Sequence, residues 1–393
     1  MKAWFILVIC AMIRPGICVA AAEAKAKRTS AGAPTEAGPA IIRKVLVEQT
    51  WREAEVFVVL PKTAVEMSPV WTETPTLAKL DELAPSAAQG GERTFSSSRS
   101  TQCRWKVPLG NVKSLGENRL GWEAPTAPRH YRIVCEIESQ GAVSCTAGDA
   151  EPKSREWPTV RASTTFHFLV PYEFDPEGPG VIQGYPIGAY PNENAKEVKA
   201  IIAAHRDRYR PPRWFVAITS ATRELHVSEH VRLCDFVPHA AKEATVYFPY
   251  NANLCRTLEA INADLGSLAS PPPHLRILRG FVSPYDAERL RRLGARLITF
   301  NRYQYGDGVL VVANSDGGEK MGDLNRDGKV DARDAETLAN IINRAQKRIG
   351  LPGWVGVYGE QPDKTLPETP MVGFDVRGWW AESFGPETPA RNE

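Results

Sequence analysis

The usual signatures of catalysis are scarce in this sequence. There is no Gly-x-Ser-x-Gly elbow, no glycine-rich phosphate loop and no His-Glu-x-x-His. The absence of any Cys-x-x-Cys pair argues against a thiolate zinc site. Histidine is sparse: His130, His167, His205, His226, His230, His239 and His274 are the full set, and none lies beyond residue 274. Charge of one sign is also lacking, with 48 Lys+Arg against 46 Asp+Glu and a net charge of +2, so nothing draws the chain to nucleic acid or an anionic membrane. Long apolar runs are missing too. Ala3–Ile13 is too short to cross a bilayer, and no later stretch reaches the roughly 18 residues a spanning helix needs. The mature chain is therefore expected to hold no integral membrane segment.

Glycine (30) and proline (31) are plentiful, which favours loops and short strands over long helices. Lys2, the apolar run and the small residues around Cys18–Ala22 have the three-part layout of a secretory signal, taken as residues 1–22. Export places the chain in the periplasm, at the cell surface or outside the cell, where disulfides are permitted. Cys135 and Cys145 are equidistant from Gln140 and are expected to face each other across a hairpin turning at 138–141. Cys234 and Cys255 offer a second bridge. Buried thiols are the alternative for both pairs.

Residues 23–40 read as a disordered lead-in. From 41 to 171, short β-branched and aromatic runs such as Val56–Leu60, Tyr131–Ile137 and Thr164–Val170 alternate with turn residues, which suits a small β-sandwich. Residues 172–215 are rich in Gly and Pro and read as an extended connector. The region 216–385 mixes strands at Leu275–Leu278 and Val309–Val312 with helices near 254–265, 284–296 and 332–348. Leu338, Ile341, Ile342, Ala345 and Ile349 form the apolar stripe of the last helix. Residues 386–393 are a tail. The fold class is α+β.

The sharpest motif is Asp323-Leu-Asn325-Arg-Asp327-Gly328-Lys329-Val-Asp331-Ala-Arg-Asp334. Oxygen-bearing side chains recur at positions 1, 3, 5, 9 and 12 of a twelve-residue loop, with glycine at position 6 where the chain must turn. Lys329 would add its backbone carbonyl. A hard cation takes six to eight oxygens, so Asp323, Asn325, Asp327, Lys329, Asp331 and Asp334 are read as ligands of one structural Ca²⁺. The aspartate at the last position resembles a dockerin loop more than a calmodulin-type sensor. A dockerin has two such loops; the single copy here points to a stabilising role.

Several stretches together resemble the zinc D,D-carboxypeptidase family, and within it the secreted branch whose peptidase domain carries a calcium loop. They are Gly184–Pro191, Pro211–Phe215, Val227–Leu233, Leu278–Pro284, Arg302–Gly308, Gly356–Tyr358 and Val372–Gly378. The resemblance spans about 181–384 and implies an immunoglobulin-like domain before it. Family members hold zinc with His-x(6)-Asp and a distant second His. In this sequence those positions are Tyr303, Leu310 and Gly373, and the substrate-binding Arg falls at Val282. Asp375 alone of that neighbourhood remains. Three ligands and an open position are what let zinc acidify a water, so the expectation is no zinc, no catalytic residues and a non-enzymatic binding or scaffolding role, with peptidoglycan or another envelope component as partner.

Two alternatives stand beside it. One is an active cell-wall metallopeptidase with a rearranged metal site, for instance His226, His230 and Asp235 on a helix face, although Val227-Ser228 and Pro238 read as extended chain. The other is a calcium-dependent adhesion or assembly module. Arg206–Arg213 reads as solvated connector, and Ser283 has no visible base. Trp354, Trp379 and Trp380 read as core, with a sugar- or peptide-binding platform as the alternative.

Overall fold

The computed structural model describes residues 41–47, 50–71, 93–116, 118–147, 153–192, 203–238, 243–268, 271–295, 297–359 and 364–379. The signal at 1–22, the lead-in at 23–40, Trp380 and the tail at 386–393 lie outside the described residues.

Nine strands come first: β1 (Ile41–Val47), β2 (Thr50–Glu53), β3 (Val56–Val58), β4 (Ala64–Trp71), β5 (Arg93–Lys106), β6 (Asn111–Gly116), β7 (Arg119–Glu123), β8 (Arg129–Ala147) and β9 (Lys153–Val170). They form two sheets, ordered β2-β1-β4-β7-β6 and β3-β9-β8-β5. Alternation of side chains turns one face of each inward. Val65, Met67, Leu120 and Trp122 of the first sheet share a core with Tyr131, Ile133, Cys135, Phe166 and Phe168 of the second. Trp122 anchors it: its ring centroid lies 4.8 Å from that of Phe168, and its Nε1 donates to the Leu109 carbonyl at 2.7 Å. A buried indole N–H is thereby satisfied.

The strands are longer than the turn residues suggest. Glu138–Gly141 is not a hairpin turn, because β8 runs straight through it and absorbs it as an irregularity between Ser139 and Gly141. Cys135 and Cys145 therefore lie on one strand, ten positions apart. At about 3.3 Å per residue they cannot meet, since a disulfide needs Cα atoms within about 7 Å. Cys135 and Cys234 are thiols, so neither expected bridge is formed.

The second region carries β10 (Tyr172–Glu173), β11 (Val181–Ile182), β12 (Tyr185–Pro186), β13 (Trp214–Ile218), β14 (Val246–Phe248), β15 (His274–Arg279), β16 (Gly308–Asn314), β17 (Val355–Tyr358) and β18 (Met371–Asp375). Its described α-helices are α1 (Ala252–Gly266), α2 (Pro284–Arg292) and α3 (Ala332–Ile349). Strands and helices together make the chain α+β. The main sheet here is β15-β16-β18-β17, antiparallel throughout. Every residue of β16 is buried, which explains its continuous apolar run Val309–Ala313. The stripe on α3, with Leu338, Ile341, Ile342 and Ala345 all buried, joins the core beneath that sheet.

The stretch expected as an extended connector is folded. β10 pairs with β13, β11 pairs with β12, and Phe174, Ile182, Ile187 and Phe215 close a small core. Its glycines sit in the turns between these pieces, while Pro186 ends β12. The two halves of the chain also touch. The amides of Glu55 and Val56 donate to the His226 carbonyl at 3.0 and 3.1 Å, and Val56 and Leu169 belong to the second region's core.

Candidate functional site

The loop Asp323–Asp334 ends where α3 begins. Asp331 caps the helix, accepting from the Arg333 amide at 2.8 Å, and Asp334 reaches back to the Asp331 amide at 2.9 Å in a reciprocal capping box. Gly328 has φ +83°, the left-handed conformation that position 6 demands and that a side chain resists. The loop's carboxylates accept its own amides. Asp323 takes those of Asp327 at 3.1 Å and Gly328 at 2.9 Å, while Asn325 Oδ1 takes Asp327 at 2.9 Å and Asp327 takes Lys329 at 2.9 Å. Asp334 is 0 % exposed. Its Oδ1 accepts from the amides of Leu324 at 2.7 Å and Asn325 at 3.1 Å, so with the Asp331 bond it clamps both ends of the loop.

This donor set is carboxylate, amide and carbonyl oxygen, which fits a hard cation and not a soft one. The loop oxygens are not gathered tightly. No three of the carboxylates of Asp323, Asp327, Asp331 and Asp334 come within 4.8 Å of one another. Asn325 and Asp327 are exposed and Asp323 and Asp331 half-buried, whereas buried Asp334 spends its oxygens on three amides.

Of the positions that the resemblance assigns to zinc, Leu310 and Gly373 lie in the main sheet and Tyr303 in the short helical turn Arg302–Tyr305 before it. Leu310 on β16 and Gly373 on β18 are direct cross-strand partners, and Gly356 on β17 pairs with Gly373 from the other side. Leu310 is 1 % exposed. A Cβ on Gly373 would stand 3.1 Å from both Trp354 Cζ3 and Tyr358 Cε2, and 3.6 Å from Leu310 Cδ1. Trp354 and Tyr358 therefore fill the space over the glycine. Tyr303 packs against the same core and its carbonyl accepts from the Val282 amide at 3.3 Å. Leu310 thus pairs with Gly373 and Tyr303 with Val282, and the rings of Trp354 and Tyr358 cover Gly373.

Asp375 serves a different purpose. It is 1 % exposed and accepts Arg377 Nε at 2.8 and 3.0 Å and the Trp354 amide at 3.2 Å. A second buried pair, Arg302 with Asp307, lies close by. Burial works against the Arg302 charge, but the Asp307 carboxylate beside it outweighs burial and holds the guanidinium proton more tightly than usual. Arg302 also stacks over Tyr209 at 4.8 Å and Tyr305 at 4.7 Å and donates to the Arg208 carbonyl at 2.9 Å. The network pins the 203–210 segment to the sheet. Sequence reasoning missed it; the signal was an Arg-x(4)-Asp spacing followed by an unbroken apolar strand.

The remaining candidates fall out as follows. His226, His230 and Asp235 do not converge. His226 lies in extended chain bridged to Arg232 and bonds Glu55 at 3.0 Å, His230 bonds Glu259 at 2.8 Å, and Asp235 binds the Arg232 amide at 2.8 Å. Glu229, His230 and Glu259 do gather their ligand atoms within 4.8 Å, on a largely exposed surface. Ser283 is fully buried and caps α2, its hydroxyl bonded to Asp286 at 2.9 Å. Trp354 packs over Gly373, and Trp379 stacks on His205 with ring centroids 3.9 Å apart, so neither offers a free platform face. A groove of about 530 Å³ runs beside α2, lined by Gly188, Ala189, Tyr285, Arg289, Arg292 and Gln304 among others. Its rim mixes Arg289, Arg291 and Arg292 with Glu288, and each of these arginines pairs with an acid. No helix among the described residues is long and apolar enough to cross a membrane.

No family model matches this chain, and no curated protein or solved structure matches it either.

Proposed function

We propose that this is an exported, calcium-stabilised protein whose second region is a D,D-carboxypeptidase-like domain without the zinc hydrolase, preceded by an immunoglobulin-like sandwich, and that it binds or scaffolds at the cell envelope. The observation that carries the reading is the pairing of Leu310 with Gly373 under Trp354 and Tyr358, which leaves neither a donor atom nor room for a metal-bound water. The calcium half rests on the oxygen spacing at 323–334, on Gly328 and on the solvent access of Asp323, Asn325, Asp327 and Asp331. Calcium there would tie the loop to the start of α3, and the core stripe of that helix would transmit the stiffening to the sheet. The ligand class proposed is envelope peptides, with the groove beside α2, where arginines stand with Glu288, as the place to look.

The test is hydrolysis of a D-Ala-D-Ala peptide by the full chain with zinc added, together with sedimentation on peptidoglycan. Retention on the polymer without turnover is expected. Turnover abolished by a chelator and restored by zinc would overturn the proposal. It would favour the second reading, a peptidase with a rearranged metal site, for which Glu229, His230 and Glu259 are the one ligand cluster among the described residues.

A further inference from the structure

Cys103 and Cys135 occupy facing strands. β5 and β8 run antiparallel with Cys103 opposite Ile137 and Trp105 opposite Cys135. Residues two apart on a strand share a face, so the two cysteines are diagonal neighbours on one face. Such neighbours have Cα atoms about 7–8 Å apart and closer Cβ atoms. Their common face is the core-directed one: Cys135 is 0 % exposed, and half-buried Cys103 packs against the same cluster. The register sets the two thiols beside each other. A hydrogen bond from Cys135 lowers the Cys103 thiol pKa, and the same bond with burial raises that of Cys135. Both stand as thiols. The strand geometry leaves them each other as partner, because Cys145 lies ten positions further along β8 and pairs with Phe95.

We propose that Cys103 and Cys135 are a redox pair that closes a disulfide between β5 and β8. The co-reactant is a small or protein disulfide. The Cys103 thiolate, the more exposed and more acidic of the two, attacks one oxidant sulphur, forms a mixed disulfide and releases one oxidant thiolate. Cys135 then gives up its proton and its sulphur attacks Cys103 Sγ, expelling the second oxidant thiol. Two cysteine thiols lose two protons and two electrons, and the oxidant's disulfide becomes two thiols. A bridge prefers Cα atoms about 4.4–6.8 Å apart, so closure draws the strands together by on the order of 1 Å. β5 can follow, since it is the edge of its sheet and Cys103 lies three residues from its end. The bridge would staple that edge strand, whose Cys103 amide bonds only sideways, to Asn118 Oδ1 at 3.1 Å.

The test treats the reduced full chain with oxidised glutathione, quenches in acid, alkylates under denaturing conditions and maps peptides by mass. The expected product links the peptides holding Cys103 and Cys135 and leaves Cys234 alkylated. Its melting midpoint should rise by about 5–10 °C and return on reduction. Cys103→Ser, at a half-buried position, should abolish both the link and the rise. Full alkylation of both cysteines after oxidation, glutathione retained on Cys103 without closure, or a link from Cys103 to another cysteine would each overturn the proposal.

Discussion

Along the loop 323–334 alternate side chains carry oxygen at the surface, and the backbone bends through Gly328. On β16 and β18, in the same domain, Leu310 meets Gly373 with 1 % of the leucine exposed and two aromatic rings overhead. The first place keeps polar atoms whose hydration a cation can replace. The second has none, and a charge placed there finds neither water nor partner. Polar side chains persist where solvent can satisfy them. In a buried sheet a position without a polar partner is stable only when carbon fills it.

The sharpest way to break that contrast is Leu310→Asp. An unpaired carboxylate inside a fully buried strand should cost about 4–5 kcal/mol, read from the urea midpoint. A loss below about 1 kcal/mol would mean water reaches the strand and the filled-site account fails. Next in size is Asp334→Ala, which leaves the amides of Leu324, Asn325 and Asp331 without their acceptor. A loss of about 3 kcal/mol is expected, with Asp334→Asn recovering part of it because one oxygen remains. Chelation comes third. Removing calcium held at a hundredfold above its Kd should lower the melting midpoint by about 5–10 °C, and Asp323→Ala should erase that response. An equal response in the variant would place the cation elsewhere.

The smallest effect concerns the sandwich. His130 Nε2 lies 2.9 Å from His167 Nδ1, with the rings stacked at 5.1 Å. Burial, with Arg132 nearby, pushes the His130 pKa below its usual 6.5. The folded state then resists a proton that the unfolded chain accepts. Stability should be undiminished above pH 6.5 and fall as pH drops below it, until the folded pKa is passed. His130→Gln should flatten that slope in melts recorded from pH 7.5 to 5; an unchanged slope would assign it to another group.

Local signals were legible where one residue type has one job. The apolar stripe of α3 gave its limits almost to the residue, and the loop before it could be read position by position. The helix near 284–296 stops earlier, at Arg292, because Gly294 adopts φ +93° and Ile298 turns outward. The hairpin at 138–141 was misread because Gly and Gln signal a turn only when the flanking strands are short. Here a two-stranded ladder on each side carries β8 across. The connector was misread for a related reason: pairs such as Tyr172 with Phe215 join residues far apart in sequence and leave no periodic trace. The positions that the resemblance aligns with zinc ligands illustrate the opposite case. Tyr303, Leu310 and Gly373 are neither histidine nor aspartate, and that much needed only the letters; the aromatic lid of Trp354 and Tyr358 needed the sheet.

The most direct test of the central claim is the metal content of the purified full chain after equilibration with equal calcium and zinc and removal of unbound ions. The account predicts one calcium per chain, lost in Asp323→Ala, and no stoichiometric zinc. Stoichiometric zinc with no calcium would contradict both halves of it.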